Sequence, residues 1–326
     1  MEFEIDAAVL HVLDTAADAP VLSEQPLPLN DDTLPFLTNL AAKAFASDET
    51  KSCTARDDSA AAKFARTAED DFAGVSAQLA KDWFALMQQN PAIPAGDAVF
   101  LLGTADAKPV LAALKLNYKA GFVHYFGMQD NLPRNELVRQ PVQLPAKADE
   151  AFFLALPVGD VRVLEKPYEI DGHKECYLAA RLLDCRKGLS PKEKLSFVKA
   201  AAAEVNQKFY GSLGVEESDL AAAVCDEFAA ADDGVVPVQA IAQNLYADMP
   251  HAQEAFREAL AEHDIAPEEA LPLSGAAVRR LEKQSLRSGT GVEVKVPVNL
   301  YKDKSALEFI HNDDGTTSLL IKNILV

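Results

Sequence analysis

Ser190-Pro191-Lys192-Glu193-Lys194-Leu195-Ser196-Phe197-Val198-Lys199, running on to Tyr210, is the stretch on which the reading of this chain turns. Ser190 and Glu193 form a capping box, in which each side chain can satisfy a backbone N–H at the other's position. Pro191 falls at the first helical position, where a missing N–H costs nothing. The spacing predicts a helix over 190–210 with Leu195, Val198, Ala202, Val205 and Phe209 inward, stopped by Gly211 and Gly214. Just before this point the apolar residues run in short strand-like blocks; after it, as far as the tail, they recur at helical spacing.

Working upstream, Tyr168–Ile170, Val161–Leu164 and Ala151–Pro157 read as short strands. Ala98–Thr104 and Val110–Leu116 are two apolar runs around Ala105-Asp106-Ala107-Lys108-Pro109, a hairpin pattern, and Gly121–Phe126 is expected to continue the sheet. A single helix is predicted from an N-cap at Asp58-Ser59 to about Gln89, with Phe64, Ala68, Phe72, Val75, Leu79, Trp83 and Met87 as one core stripe. Pro91 and Pro94 end it. A further helix covers Leu34–Phe45. Ile5–Leu13 reads as a strand, and Val21–Leu29, closing in Leu-Pro-Leu-Asn, as an extended edge segment.

Downstream, helices are expected at about 216–231, 237–248, 250–263 and 274–285. Gly291–Leu300, Leu307–His311 and Ser318–Leu325 alternate as strands, with Asp314-Gly315 as a hairpin turn between the last two. The fold class expected is α+β: an N-terminal, mostly antiparallel sheet with packed helices, then a helical region and a C-terminal β-hairpin. The domains expected are 1–172 and 173–326.

Composition is that of an ordinary globular protein, with 49% hydrophobic and 25% charged residues. No apolar run reaches the length of about 18 residues that a membrane helix needs. Met1-Glu2-Phe3-Glu4 is acidic where a signal peptide would be basic. Cys53, Cys176, Cys185 and Cys225 contain no C-x-x-C pair and suit neither a disulfide scaffold nor a zinc site; they read as reduced thiols of a cytoplasmic protein.

The chemistry-bearing patterns are missing. His11, His124, His173, His251, His263 and His311 fall in no metal-binding spacing. Neither a dinucleotide fingerprint, a P-loop nor a nucleophile elbow occurs, and Gly211-Ser212-Leu213-Gly214 follows a helix instead of opening one. Glu69-Asp70-Asp71 and Asp232-Asp233 are adjacent acids, which point to solvated surface. The reading is therefore of a non-enzymatic protein with no cofactor and no metal.

Charge is the remaining signal. The net charge of -19 repels polyanions at long range, but it is uneven: residues 201–250 carry Lys208 against nine acids, whereas Lys174–Lys208 and Arg279–Lys304 are each net +4. The first basic cluster offers Arg181, Arg186, Lys187, Lys192, Lys194 and Lys199, and the second Arg279, Arg280, Lys283 and Arg287. Arg186-Lys187-Gly188 precedes a helix start, whose free N–H groups favour anions. Lys192 and Lys199 are two turns apart and share a face, with Lys194 near the opposite side. No aromatic alternates with these cations, so contacts to phosphate, not base stacking, are expected. Solvated helix charge is the plain alternative. On the acidic side, Leu220, Val224 and Phe228 recur at spacing four beside Glu216, Glu217, Asp232 and Asp233, which reads either as core or as a docking face for a basic partner or a second copy.

Several fragments together carry a resemblance. The opening Ile5-Asp6-Ala7-Ala8-Val9-Leu10-His11-Val12-Leu13 is one, and Leu114-Lys115-Leu116-Asn117-Tyr118-Lys119 is the next. Tyr177-Leu178-Ala179-Ala180-Arg181-Leu182-Leu183 with Arg186-Lys187-Gly188 follows. The tail adds Gly291-Val292-Glu293-Val294-Lys295-Val296-Pro297, Glu308-Phe309-Ile310, Asp313-Asp314-Gly315 and Ile321-Lys322-Asn323-Ile324. In this order they resemble the bacterial nucleoid-associated protein family. The resemblance implies a cytoplasmic, nucleoid location and association with DNA without enzymatic activity. Combined with the charge, it implies weak contact to the phosphate backbone without sequence preference. The alternative is an adaptor brought to the nucleoid by a protein partner.

Overall fold

The computed structural model describes residues 3–129, 132–157, 159–209, 217–231, 235–301, 303–313 and 315–323. The predicted glycine stop at Gly211–Gly214, the acids Glu216, Asp232, Asp233 and Asp314, the Glu217 side chain and the end of the last predicted strand at Leu325 lie outside the described residues. The fold is α+β, in two compact units of residues 1–190 and 191–326.

The first unit contains β1 (Phe3–Leu13), α1 (Thr33–Phe45), β2 (Lys51–Ala55), α2 (Ala60–Thr67), α3 (Phe72–Gln89), β3 (Gly96–Ala105), β4 (Lys108–Asn117), β5 (Lys119–Gln129), β6 (Leu132–Gln143), β7 (Glu150–Ala155), β8 (Val161–Leu164), β9 (Tyr168–Ile170), β10 (His173–Glu175), a π-helical turn (Leu178–Leu182) and β11 (Cys185–Lys187). Seven strands form one antiparallel sheet in the order β1-β3-β4-β7-β8-β2-β11. Its central strands are apolar at almost every position because both faces are covered. Phe100, Leu111, Ala113 and Phe152 face a core closed by Val75, Leu79, Trp83 and Met87 of α3 and by Tyr177 and Leu178 of the π turn. Val99, Leu101, Ala112, Leu114 and Phe153 face the opposite core, closed by Leu37, Leu40 and Ala41 of α1. The register explains the division: side chains alternate along a strand, so Phe152 and Phe153 go to different cores.

The predicted helix 59–89 is two helices. Ser59 caps α2, its hydroxyl accepting from the Ala62 N–H at 3.2 Å, and Asp71 caps α3, accepting from the Gly74 N–H at 2.9 Å. The stripe from Phe64 to Met87 keeps its spacing across the break, so periodicity alone hides it. β2 went unread, being short and polar. Gly121–Phe126 does not continue the sheet: β5 pairs with β6 as a separate two-stranded ribbon. Residues 173–190 lie in the first unit, where β11 pairs with β2 at the sheet edge. Gly188 closes β11 because a Cβ there would sit 2.2 Å from the Ser52 carbonyl oxygen.

The second unit contains α4 (Pro191–Phe209), α5 (Glu217–Ala230), β12 (Val235–Pro237), α6 (Val238–Leu245), α7 (Pro250–Ala261), β13 (Ala270–Pro272), α8 (Gly275–Leu281), β14 (Lys283–Arg287), β15 (Glu293–Pro297), β16 (Leu307–His311) and β17 (Thr317–Ile321). Val198, Ala202 and Val205 of α4 are buried with Val224, Ile241, Phe256 and Leu271, but Leu195 is only half-buried and Phe209 is exposed. Leu220 and Val224 are buried and Phe228 half-buried, so that stripe is core. The predicted helix 274–285 stops at Leu281, where β14 begins and pairs with β15. β16 and β17 form the C-terminal hairpin, with Gly315 at φ +82° in its turn.

Candidate nucleic-acid interface

The ten cations singled out in the sequence divide between the units: Arg181, Arg186 and Lys187 belong to the first and the rest to the second. Arg181 lies in the π turn, and its guanidinium is held by two carboxylates, Asp171 at 2.8 Å and Glu175 at 2.9 Å. The Glu175 pair is two-pronged, Nε adding a bond at 3.3 Å. Arg181 holds the Glu175 carboxyl below the usual range through that hydrogen bond. Lys187 donates to the Cys176 carbonyl and stands 4.0 Å from Glu165. Arg186 is exposed on β11 and has no ion-pair partner among the described residues.

In the second unit Lys192 is exposed on the first turn of α4, and Lys194, half-buried, is paired with Glu269. Lys199 lies further along the same helix. Arg279 and Arg280 are exposed at the end of α8, where cations complement the helix dipole. Lys283 and Arg287 lie on β14. As strand residues two steps apart from Ser285 they share a face with it, and register places Lys295 and Glu293 beside them.

A cavity of about 180 Å³ brings three of the ten together: Lys199 of α4, Arg280 of α8 and Lys283 of β14 line it with Ser218 of α5, Gln284, Ser285 and Val298. At about 30 Å³ per water, it has room for a phosphate group and its remaining hydration. Gln284 contributes a buried Oε1 that has no hydrogen-bond partner. The early end of α8 is what makes this possible. A continued helix would have placed Lys283 on a helical face with Arg279 and Arg280, not on a strand beside Lys295.

His11 is buried; it accepts from the Ser23 N–H at 3.0 Å through Nδ1 and sits 3.2 Å from the Ser76 hydroxyl through Nε2. Burial lowers its pKa. The four cysteines are free thiols; burial pushes Cys185 up to about 12 and Cys225 up to about 11, away from thiolate chemistry. No group of three or more His, Cys, Asp or Glu that could hold a metal occurs among the described residues, and none of their helices is long and apolar enough to cross a membrane.

Two features were not read from the sequence. Ser218 and Ser285 line the cavity only because α5 and β14 meet there. The ribbon of β5 and β6 was half seen, since Pro133 and Pro141 break the strand pattern of 132–143. The family model described as nucleoid-associated protein YejK matches residues 9–325. None of the curated proteins matches the chain.

Proposed function

The chain belongs to the nucleoid-associated protein family, and on that premise we propose that it associates directly with DNA through the phosphate backbone, weakly and without sequence preference, and without catalysing a reaction. The observation that carries this is the convergence of Lys199, Arg280 and Lys283 on the lining of one cavity. Each cation contributes positive charge toward a phosphate oxygen; the Ser285 hydroxyl beside them donates to Glu293 at 2.6 Å. Exposed Arg279, Arg287 and Lys295 extend the positive face beyond the cavity. Nothing here reads base edges, so register on the duplex is unspecified. The -19 field opposes the approach of DNA, so affinity falls off sharply as salt removes the local attraction.

The test is a duplex titration by fluorescence anisotropy at several salt concentrations, comparing the chain with the variant Lys199→Gln, Arg280→Gln, Lys283→Gln. Each phosphate neutralised contributes roughly 0.9 to the slope of log K against log salt, so losing the one that the cavity holds lowers the slope by roughly 0.9. Equal affinity and equal slope for variant and parent would mean that DNA is held elsewhere or reached only through a protein partner.

A further inference from the structure

The ribbon of β5 and β6 is an element that the first unit does not cover. Its strands are 11 and 12 residues long and, among the described residues, pair only with each other. A two-stranded ribbon is marginal in water without a layer packed on it. Both faces carry exposed apolar side chains, Val123, Tyr125, Leu132 and Val138 on one and a more exposed set on the other. In the register, Phe122 lies opposite Arg139, His124 opposite Leu137, Phe126 opposite Asn135 and Met128 opposite Pro133. Partners across an antiparallel pair point to the same side, so Phe122, Phe126, Met128 and Leu137 share that face. They are 67%, 59%, 61% and 77% exposed.

We propose that this face packs against the same face of a second copy of the chain, the two ribbons stacked antiparallel about a two-fold axis. Area is the first argument. At about 200 Å² of surface for a large side chain, four side chains exposed to this degree present roughly 500 Å² per copy. That is at the upper end of what a monomer leaves contiguous. Two copies bury roughly 1,000 Å² from these four side chains alone, the threshold for a specific interface, before Pro133, Asn135 and the stem of Arg139 add their share.

Self-complementarity is the second argument. An isologous contact sets a patch against itself in reverse. Phe122 then meets Met128 and Pro133 of the second copy, while Phe126 meets His124 and Leu137 near the axis. Arg139 is the one fixed charge on this face, and reversal sends its two copies to opposite ends, about 20 Å apart at 3.3 Å per residue. That distance exceeds the screening length of about 8 Å at physiological salt, so no like charges oppose. Electrostatics also disfavours nucleic acid as the occupant. Arg134, on the other face, is paired with Glu136 at 2.7 Å, and the whole chain is at -19. A ribbon tracking a polyanion would need more free cation than Arg139 and Lys119 supply.

The experiment is sedimentation velocity on the full chain across a concentration series, with the variant Phe122→Gln, Phe126→Gln, Leu137→Gln alongside. The parent should move from a 35.2 kDa species to one of twice that mass, and the variant should remain at the chain mass. Hydrogen exchange on the unaltered chain supplies a readout independent of the variant: amides of 120–140 should gain protection as concentration rises. A parent that stays monomeric, a variant that dimerises as the parent does, or ribbon protection that ignores concentration overturns the proposal. So does a monomeric parent whose ribbon becomes protected only on adding duplex DNA.

Discussion

Replacing Lys115 with Met removes the ammonium from the most deeply buried charged pair of the first unit. Lys115 on β4 and Glu150 on β7 are opposite in register; both side chains have 0% exposure, with Nζ 3.3 Å from Oε2. Nζ also donates to the Pro94 carbonyl at 2.8 Å and to Asn117. The Tyr177 hydroxyl donates to the same Glu150 oxygen at 3.3 Å, and the Trp83 indole N–H donates to the Tyr177 oxygen at 2.7 Å. Burial pushes the Lys115 pKa down and the Glu150 pKa up, the loss of water outweighing the pull of each on the other. Without Lys115 the Glu150 carboxylate is buried with no cation against it, which costs about 3–5 kcal/mol. Adding Glu150→Gln removes the orphaned charge while leaving an acceptor for Tyr177. The double variant should therefore lie at least about 1.5 kcal/mol above the sum of the singles. The pH dependence has a definite sign. A carboxyl whose folded pKa is raised keeps its proton longer when folded, so the Lys115→Met deficit is smallest near pH 4.5 and grows as pH rises. Urea denaturation followed by fluorescence of Trp83, the single tryptophan, reports on this network directly. A Lys115→Met cost below about 1 kcal/mol, or additivity within about 0.5 kcal/mol, would refute the reasoning.

Two further outcomes follow from local geometry. Burial holds the His11 pKa below 6.5, so the folded state binds fewer protons there than the unfolded chain; stability is full above about pH 6.5 and declines on acidification, and His11→Gln should flatten that decline in thermal melts between pH 5 and 7. Gly188→Ala drives a methyl to 2.2 Å from the Ser52 backbone oxygen, so the β11 edge must shift at a cost of about 1–3 kcal/mol; an alanine variant as stable as the parent in urea would contradict that packing.

The parts legible in the sequence were those where a local pattern and the tertiary structure ask for the same thing. The capping box and proline at Ser190-Pro191 mark the start of α4, and the hairpin of β3 and β4 shows in two apolar runs. The errors arose where they diverge. Asp71 restarts a helix in phase with the one that ends at Thr67, so the apolar stripe runs through a real break. Lys283–Arg287 has no β-branched residue, and only its pairing with Glu293–Pro297 makes it a strand. β5 carries strand-forming aromatics, but sequence does not tell a strand in a covered sheet from one in a free ribbon. For the same reason the ten basic residues were legible as charge and not as a site. Arg181 and Lys194 prove to be held by carboxylates, while Lys199, Arg280 and Lys283 meet only through the ends of α8 and β14.

The ribbon and the cavity together account for how so acidic a chain could stay on DNA, and the combination is testable. One cavity offers one phosphate contact, a salt slope of roughly 0.9, too little to hold DNA against a -19 field at physiological salt. Two copies joined through their ribbons carry two cavities. If both reach one duplex, the second contact is intramolecular, at an effective concentration set by the joint rather than by bulk protein. The slope then approaches twice the single-copy value, roughly 1.8. The variant Phe122→Gln, Phe126→Gln, Leu137→Gln changes no charge and leaves the cavity untouched. It should therefore bind DNA with about half the parent's slope and lose its affinity advantage at low protein concentration. The cavity variant should do the converse, keeping the dimer and losing the slope. A ribbon variant that is monomeric yet retains the parent's full slope would show that one copy supplies every phosphate contact, and the coupling between dimer and DNA would fall.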